Sequence, residues 1–372
     1  REPEKLSKLF PNHRVCSYEQ LQDQAKNYDA FLNLAVINNN IANDLKNSQT
    51  DNTALFKNIL ALAKAAKIRR FYNFSSFHAF SDRNSDYARS KRECLDVAKK
   101  SHGIAITNFF MPNVYGTQFC GKLYFANKLP NWLSDFIILI SKSIAPTVHI
   151  SIICRTLINH LQSDENTTDI FVSDPIEEKR IYILFKFLVD ICFLIVLTGL
   201  FWWIFIAISI AIRVDSSGPV IFKQERLGLN MKPFICFKFR TMIEGTKDVG
   251  TYDLRGDEIT KVGAFLRKSK LDELPQAFNI LRGDLTLIGP RPCLPSQATL
   301  IQKRHSAGVY TLKPGITGIS QVQGIDMRDP VLLSKMDAFY GFSRSILVDV
   351  GILLQTFMPK SFGDRLSTKK EI

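Results

Sequence analysis

An uncharged apolar run of about 22 residues sets the first limit on the architecture of this chain: Ile191–Ile212 (ICFLIVLTGLFWWIFIAISIAI). A helix of this length can cross the hydrocarbon core of a bilayer, because it rises about 1.5 Å per residue. The alternative is a buried core helix, but the unbroken apolar composition and the paired tryptophans disfavour it. The run predicts a membrane helix at about residues 187–213, with a lipid bilayer as partner.

Basic residues flank the run on both sides: Lys179, Arg180 and Lys186 before it, and Arg213, Lys223 and Arg226 after it. Positive charge at both ends gives no preferred orientation under the positive-inside rule. A helix that enters the bilayer and returns would keep both ends on the cytoplasmic side. The sequence therefore leaves a re-entrant and a spanning helix as alternatives.

The charge of the chain is concentrated in its second half. The 372 residues carry a net charge of +13, and residues 179–372 hold 27 Lys and Arg against 17 Asp and Glu. This distribution favours an anionic membrane surface and phosphorylated substrates. Nucleic acid is not expected as a partner, because no basic-aromatic array or nucleic-acid module is present.

The seven scattered cysteines, none in a CxxC pair, indicate a reducing compartment and argue against zinc.

The first half alternates between strand-like and helix-like segments. Strands are expected at Ala30–Val36, Arg70–Ser75 and Ala105–Phe110, and helices at Asp51–Ala66 and Tyr87–Ser101. This alternation predicts an α/β fold with a parallel sheet. The polar segment Leu161–Glu178 is expected to be a domain boundary or a linker. Two domains follow, residues 1–175 and 176–372, and the chain is long enough for two cores.

The chemistry is expected at the segment Leu271–Gln276 (LDELPQ), where two adjacent carboxylates, Asp272 and Glu273, lie among basic residues. One interpretation is a carboxylate that attacks a phosphate held by cations and a helix N-terminus. The other is structural: Ser269 and Asp272 cap a helix, and Glu273 complements its dipole. The segment alone does not exclude either interpretation.

A series of motifs in fixed order surrounds this segment. They are Gly218-Pro219-Val220, Gln224–Gly228 (QERLG), Lys238–Met242 (KFRTM), Ile259–Gly263 (ITKVG), Arg282-Gly283-Asp284, Gly289–Pro292 (GPRP), Pro314–Gly318 (PGITG) and Asp337–Tyr340 (DAFY). Together with LDELPQ, the series resembles the bacterial sugar transferase family, the monotopic polyprenyl-phosphate phosphoglycosyl transferases. The resemblance covers roughly residues 180–358.

The resemblance implies a specific reaction. Such enzymes move a sugar 1-phosphate from a nucleotide-sugar, usually a UDP-sugar, to polyprenyl (undecaprenyl) phosphate, release UMP and start lipid-linked glycan synthesis. Asp272 would be the nucleophile on the β-phosphorus, and Glu273 would orient it or assist deprotonation. Mg²⁺, with these two residues as ligands, would offset the pyrophosphate charge. The enzyme would act on the cytoplasmic face of the bacterial inner membrane.

Four basic residues in these motifs are candidates for phosphate contacts: Lys238, Arg240, Arg282 and Arg291. Solvated surface charge is the alternative for each of them.

One departure from the family concerns the membrane helix, which commonly has a proline at its midpoint. Here that region reads Gly199–Trp203 (GLFWW), without proline. Glycine breaks a helix less strongly than proline does.

The first half contains a second set of motifs. Tyr87 and Lys91 form a YxxxK element, Ser76 lies upstream, and Pro112–Gly116 (PNVYG) follows. These motifs resemble extended short-chain dehydrogenases and nucleotide-sugar epimerases. The spacing puts Tyr87 and Lys91 on one helix face, so the ammonium is expected to lower the pKa of the phenol for proton transfer.

NAD(P) is a doubtful cofactor, because the glycine-rich loop of that family is absent and Met111 stands where arginine is usual. Either the N-terminus has been removed from this sequence, or the domain is a degenerate scaffold. Two other functions are compatible with the sequence: an NAD(P)-dependent nucleotide-sugar reductase or epimerase with a membrane anchor, and a non-enzymatic assembly platform. The helical pattern at Leu332–Phe357 suits a membrane surface, a homodimer contact or core packing equally.

Overall fold

The computed structural model describes residues 28–34, 48–80, 86–116, 127–163, 167–246 and 258–358, together with residues 20 and 25. The chain divides into two compact units, residues 1–128 with 147–174 and residues 129–146 with 175–372. The last two residues of the expected strand Ala30–Val36 lie outside the described residues.

The secondary structure alternates between strands and helices up to residue 171. In chain order the elements are β1 (Ala30–Asn33), α1 (Ser48–Ala65), β2 (Arg70–Ser76), α2 (Asp86–Lys99), β3 (Ala105–Met111), β4 (Asn113–Tyr115), α3 (Asn131–Ile144), β5 (Thr147–His149), α4 (Ile150–Gln162) and β6 (Asp169–Phe171). The remaining elements are α5 (Arg180–Gly199), α6 (Trp202–Asp215), β7 (Ile221–Leu227), β8 (Pro233–Phe239), α7 (Lys261–Ser269), α8 (Ala277–Leu281), β9 (Thr286–Ile288), α9 (Ala298–Ser306), β10 (Gly315–Thr317), α10 (Ile319–Val322), α11 (Pro330–Ser343) and α12 (Ile346–Thr356).

The first unit contains a four-stranded parallel sheet in the order β1-β2-β3-β6. Successive side chains of β2 face opposite sides of this sheet, as strand geometry requires. Phe71 packs with Phe56 of α1 on one side. Tyr72 packs with Ile153 of α4 on the other. The expected α/β fold with a parallel sheet is confirmed.

A chain of side-chain amides crosses all four strands of this sheet. Asn33 donates to Asn73 (3.1 Å), Asn73 donates to Asn108 (3.0 Å), and Asn108 donates to Asp169 (3.0 Å). Each pair is directly in register on neighbouring strands. The ladder satisfies polar groups that would otherwise be unpaired inside the sheet.

A boundary between the two units does fall within residues 161–178, after residue 174, but the expectation of a linker is wrong for much of the segment. Helix α4 continues to Gln162, and Asp169–Phe171 forms β6, which pairs with β3. Its polar composition misled the prediction, because Asp169 is the last acceptor of the amide ladder.

The second unit combines an antiparallel hairpin, β7–β8, with a parallel pair, β9–β10, and several helices. Helix α7 approaches the end of the hairpin closely at Gly263. A Cβ atom there would lie 2.1 Å from the Thr241 carbonyl oxygen, so only glycine allows this contact. The packing brings the segment that follows α7 against β8.

The apolar run forms two helices, α5 and α6, separated at Leu200–Phe201. The helix expected at about 187–213 thus begins earlier, at Arg180, and is interrupted, although no proline is present. The indole of Trp203 donates to the Leu200 carbonyl (3.0 Å), which satisfies one acceptor left free by the break. Among the described residues, α5 alone is long and apolar enough to cross a membrane.

The two helices return to the same folded unit. Near the start of α5, Lys186 forms an ion pair with buried Asp349 (3.2 Å). Near the end of α6, Ile212 packs in a core cluster with Phe239 and Leu266. Between these ends the turn is apolar and largely exposed: Leu200 63%, Trp202 57% and Trp203 55%.

Candidate active site

The LDELPQ segment is a 3₁₀ helix, Leu271–Gln276, that directly follows a left-handed residue, Lys270 (φ 58°). No side chain caps it. The Ser269 hydroxyl donates instead to the Phe265 carbonyl (2.8 Å). The capping interpretation is therefore wrong: Ser269 is engaged within α7, and Asp272 accepts no hydrogen bond among the described residues.

Two cations converge on Glu273. Lys238 Nζ of β8 lies 3.3 Å from Glu273 Oε1, and Arg291 Nη2 lies 2.7 Å from the same oxygen. Burial alone would raise the pKa of Glu273, but the charges of Arg291 and Lys238 outweigh it and hold this pKa at about 2. Glu273 is therefore a permanent anion that holds two cations in place.

Asp272 has a different environment, although it is adjacent in sequence. Burial, followed by the negative charge of Glu273, raises the pKa of Asp272 to about 6. Lys238, Arg291 and Arg267 partly oppose this shift. A carboxylate with a raised pKa and open oxygens is suited to react, because neither hydrogen bonds nor ion pairs stabilise its charge fully.

The loop that presents Arg291 is held by cationic side chains on its carbonyl oxygens. Lys186 donates to the carbonyl of Ile288 (2.6 Å), Arg304 to that of Arg291 (2.8 Å), and Arg226 to that of Pro292 (3.0 Å). Arg304 is itself paired with Asp337 (2.6 Å), and both side chains are almost fully buried. These contacts fix the loop, so the Arg291 guanidinium is pre-positioned for Glu273.

The structure brings two of the four predicted phosphate contacts together, Lys238 and Arg291. Arg240 is buried and donates to Ser216, and its Nε and Nη1 have no hydrogen-bond partner among the described residues. Arg282 is largely exposed, lies 3.6 Å from Asp284 and stacks over the Phe237 ring. Arg282 is thus outside the cluster around Glu273.

Sequence reasoning missed the residues that hold the site in place. The sequence marks Arg226 as a flanking charge and as part of the QERLG motif but gives it no role in the site, yet burial, with nearby Arg291, lowers its pKa to about 10. It lines a small pocket together with Lys238 and Arg291. Arg304 carried no usable signal, because it lies in a basic stretch that resembles a solvated helix face.

The carboxylates of Asp272 and Glu273 differ in how well they suit a magnesium ion. Within the described ranges no group of three or more His, Cys, Asp or Glu side chains is placed to hold a metal. Magnesium commonly binds through one or two carboxylates and substrate phosphates, so Asp272, with its open oxygens, fits such a site. Glu273 fits less well, since Lys238 and Arg291 share its Oε1.

The raised pKa of Asp272 predicts the acid limb of the activity profile. If ionised Asp272 is required, kcat/KM of the free enzyme should fall as pH drops below about 6. Lys238→Met should move this limb to higher pH, because Lys238 lowers the pKa of Asp272. Lys268→Met, an exposed residue of α7, is the matched control and should leave the limb in place. An identical limb in wild type and Lys238→Met would contradict the assignment.

In the first unit, the three dehydrogenase-like residues lie together. Lys91 Nζ is 5.5 Å from the centre of the Tyr87 ring, and Ser76 is a hydrogen-bonding partner of Tyr87. Burial raises the pKa of Tyr87, and Ser76 offsets only part of that increase. The expectation that Lys91 lowers this pKa is wrong: burial dominates, and it also lowers the pKa of Lys91.

Clustered cations are suited to bind phosphate groups, and a pair of carboxylates whose pKa values are shifted in opposite directions marks a candidate catalytic site. The sequence model of the family described as "Bacterial sugar transferase" matches residues 181–362. An uncharacterized sugar transferase, EpsL, of Bacillus subtilis is 40% identical over 147 residues, which are 39% of this chain and 71% of that protein. The chain belongs to the bacterial sugar transferase family.

Two further relatives have more specific names. A UDP-glucose:undecaprenyl-phosphate glucose-1-phosphate transferase of Xanthomonas campestris is 36% identical over 49% of this chain and 40% of its own length. A UDP-N-acetylgalactosamine-undecaprenyl-phosphate N-acetylgalactosaminephosphotransferase of Aeromonas hydrophila is 33% identical over 57% of this chain and 51% of its own length. The chain thus spans about half the length of these two relatives.

Among solved structures, the chain is similar to a UDP-N-acetylglucosamine 4-epimerase from Bacillus cereus. The match has a TM-score of 0.34 and 17% identity, and it covers 47% of this chain and 70% of the epimerase.

Proposed function

We propose that this chain transfers a sugar 1-phosphate from a UDP-sugar to polyprenyl (undecaprenyl) phosphate through a covalent intermediate on Asp272. The observation that supports this most directly is the dyad, in which a reactive Asp272 adjoins a Glu273 that holds Lys238 and Arg291. The names of the Xanthomonas and Aeromonas relatives agree with the substrate classes.

In the first step, a carboxylate oxygen of Asp272 attacks the β-phosphorus of the UDP-sugar. The new oxygen–phosphorus bond replaces the bridging bond to UMP, which leaves with the electron pair. The attacking group is already an anion, so no proton transfer is needed. Lys238 and Arg291 are expected to contact the pyrophosphate oxygens and stabilise the charge that develops there.

In the second step, an oxygen of polyprenyl phosphate attacks the same phosphorus, and the bond to Asp272 breaks. The products are polyprenyl diphosphate sugar and the free Asp272 carboxylate. Two steps suit two polyanionic substrates, because the anions never have to meet in one transition state. Glu273 holds its two cations in both steps.

Arg240 is a further proposed anion contact, supported by two buried guanidinium nitrogens without a partner among the described residues. Arg282 stays a prediction from sequence. A magnesium ion held by Asp272 and substrate oxygens would offset the charge of the pyrophosphate. NAD(P) binding and homodimer formation also stay predictions, as does an NAD(P)-dependent activity of the first unit.

The proposed location is the cytoplasmic face of the bacterial inner membrane, with α5 and α6 as a re-entrant pair. The contacts of both helices with the second unit support this topology, since a spanning segment would put its ends on opposite faces. Cysteines introduced at exposed Glu177 and Ser217 should therefore behave alike. In a cysteine-free background, an impermeant thiol reagent should label neither site in intact cells and both in inverted vesicles. Labelling of one site from each side would indicate a spanning helix.

The activity is tested by UMP release from a panel of UDP-sugars in membranes that contain the chain. Release should require added undecaprenyl phosphate for sustained turnover. Absence of UMP release with every donor, under conditions in which a family enzyme is active, would contradict the proposal.

A further inference from the structure

Helix α3 has an unusual distribution of side chains. It contains the apolar run Phe136–Ile140 (FIILI), yet the one buried residue in the helix is Ser143. Trp132 is 70% exposed and Phe136 is 52% exposed. The helix lies outside residues 181–362, and no motif in the sequence analysis included it.

Helix α1 of the first unit shows the ordinary arrangement for comparison. Its buried residues include Phe56, Ile59 and Leu60, and its lysines are exposed. In α3 the order is reversed, since apolar side chains face outward and a serine faces inward. A helix in water rarely leaves a ridge of large apolar side chains uncovered, whereas a helix in contact with lipid requires one.

The ridge consists of four residues spaced four apart, Trp132, Phe136, Ile140 and Ile144. Residues with this spacing lie along one side of a helix. Trp132 stands at the end of the ridge, and tryptophan is the residue preferred where hydrocarbon meets headgroups.

The neighbours of α3 also leave large apolar side chains exposed. Within the second unit α3 packs against α5 and α12, and Lys142 of α3 is paired with Glu178 just before α5 (2.6 Å). Helix α12 buries Asp349 and Ile352 but leaves Leu347 and Leu354 both 59% exposed. The apolar ridge of α3 thus adjoins the helix that is long and apolar enough for a membrane.

We propose that α3 is an additional bilayer-contacting helix, whose ridge lies in the boundary between headgroups and acyl chains beside α5. The occupant is lipid, since α3 packs directly against α5, the helix that is long and apolar enough for a membrane and of which little is buried. The inference rests on the proposed membrane association. It adds a membrane contact contributed by a segment inserted between β4 and β5.

The three tryptophans of the chain, Trp132, Trp202 and Trp203, allow a direct test. In the full chain, Trp202→Phe with Trp203→Phe leaves Trp132 as the one emitter, and Trp132→Phe leaves the other two. Each protein is reconstituted into phosphatidylcholine–phosphatidylglycerol vesicles with bromine near the headgroup or the methyl end of the acyl chains. Trp132 emission should be blue-shifted and quenched, more strongly by the bromine near the headgroup.

Quenching of the pair Trp202 and Trp203 distinguishes failure of the proposal for α3 from failure of membrane association. If this pair is quenched and Trp132 is not, the proposal for α3 is overturned while membrane association stands. If neither is quenched, membrane association fails and the proposal fails with it. In the variant with Trp132 alone, Phe136→Asp should return the emission toward that of tryptophan in water. Asp135→Ser, at the exposed neighbouring position, should leave it unchanged. An equal response to both substitutions would also overturn the proposal.

Discussion

Replacement of Asp272 by Asn should abolish sugar-phosphate transfer while the fold persists. The amide is nearly the same size as the carboxylate, and no hydrogen bond among the described residues depends on Asp272. An amide cannot form the acyl phosphate, so kcat should fall by at least about 10³-fold, as for other essential nucleophiles. UMP release from a UDP-sugar in the presence of undecaprenyl phosphate measures the loss.

A trapping experiment distinguishes loss of the nucleophile from loss of substrate binding. Without lipid acceptor, wild-type protein should retain radiolabel from the sugar of the UDP-sugar, in a bond that hydroxylamine cleaves. Asp272→Asn should retain none. Asp326→Asn, a carboxylate of a surface ion pair, is the control and should label like wild type. Labelling or turnover in Asp272→Asn would end the assignment of the nucleophile.

Replacement of Arg304 by Met should destabilise the second unit severely. Arg304 and Asp337 have side-chain exposures of 2% and 1%, and Asp337 also accepts from Ser320 (2.7 Å). Removing one partner leaves a buried charge, which should cost about 3–5 kcal/mol. Thermal unfolding in detergent measures the effect. Arg328→Met breaks an exposed ion pair and should cost less than about 1 kcal/mol.

The double variant Arg304→Met with Asp337→Leu separates stability from positioning. Without either charge, much of the stability should return. Activity should not return with it, because the Arg291 carbonyl has still lost the donor that fixes its loop. Full activity in a stable double variant would show that this loop needs no such support.

The sequence was informative where the chemistry follows a local pattern. Alternation in the first half was enough to predict the parallel sheet, since strands and helices have different periods. The order of motifs located Asp272, Glu273, Lys238 and Arg291. The structure brings the last three into direct contact.

Features that depend on distant partners could not be predicted. Gly199 is the one turn-favouring residue next to Leu200, so the local sequence does not predict the break between α5 and α6. The break follows from the contacts that both ends of the apolar run make with the second unit. Strand β6 could not be predicted because it contains the polar residue Asp169. The carboxylate of Asp169 accepts a hydrogen bond from Asn108 on the neighbouring strand, and the local sequence does not show this contact. The role of Arg304 depends on Asp337, 33 residues away.

The amide ladder of the first unit has a consequence for how this chain can diverge. Asn73 both donates and accepts, so its replacement by leucine would remove the acceptor of the Asn33 amide and the donor to the Asn108 carbonyl oxygen, both in the interior. Substitution of one residue of the ladder is therefore unfavourable unless the adjacent residues of the ladder change as well. In proteins that diverge from this one, we expect the four polar residues to be retained together or replaced together.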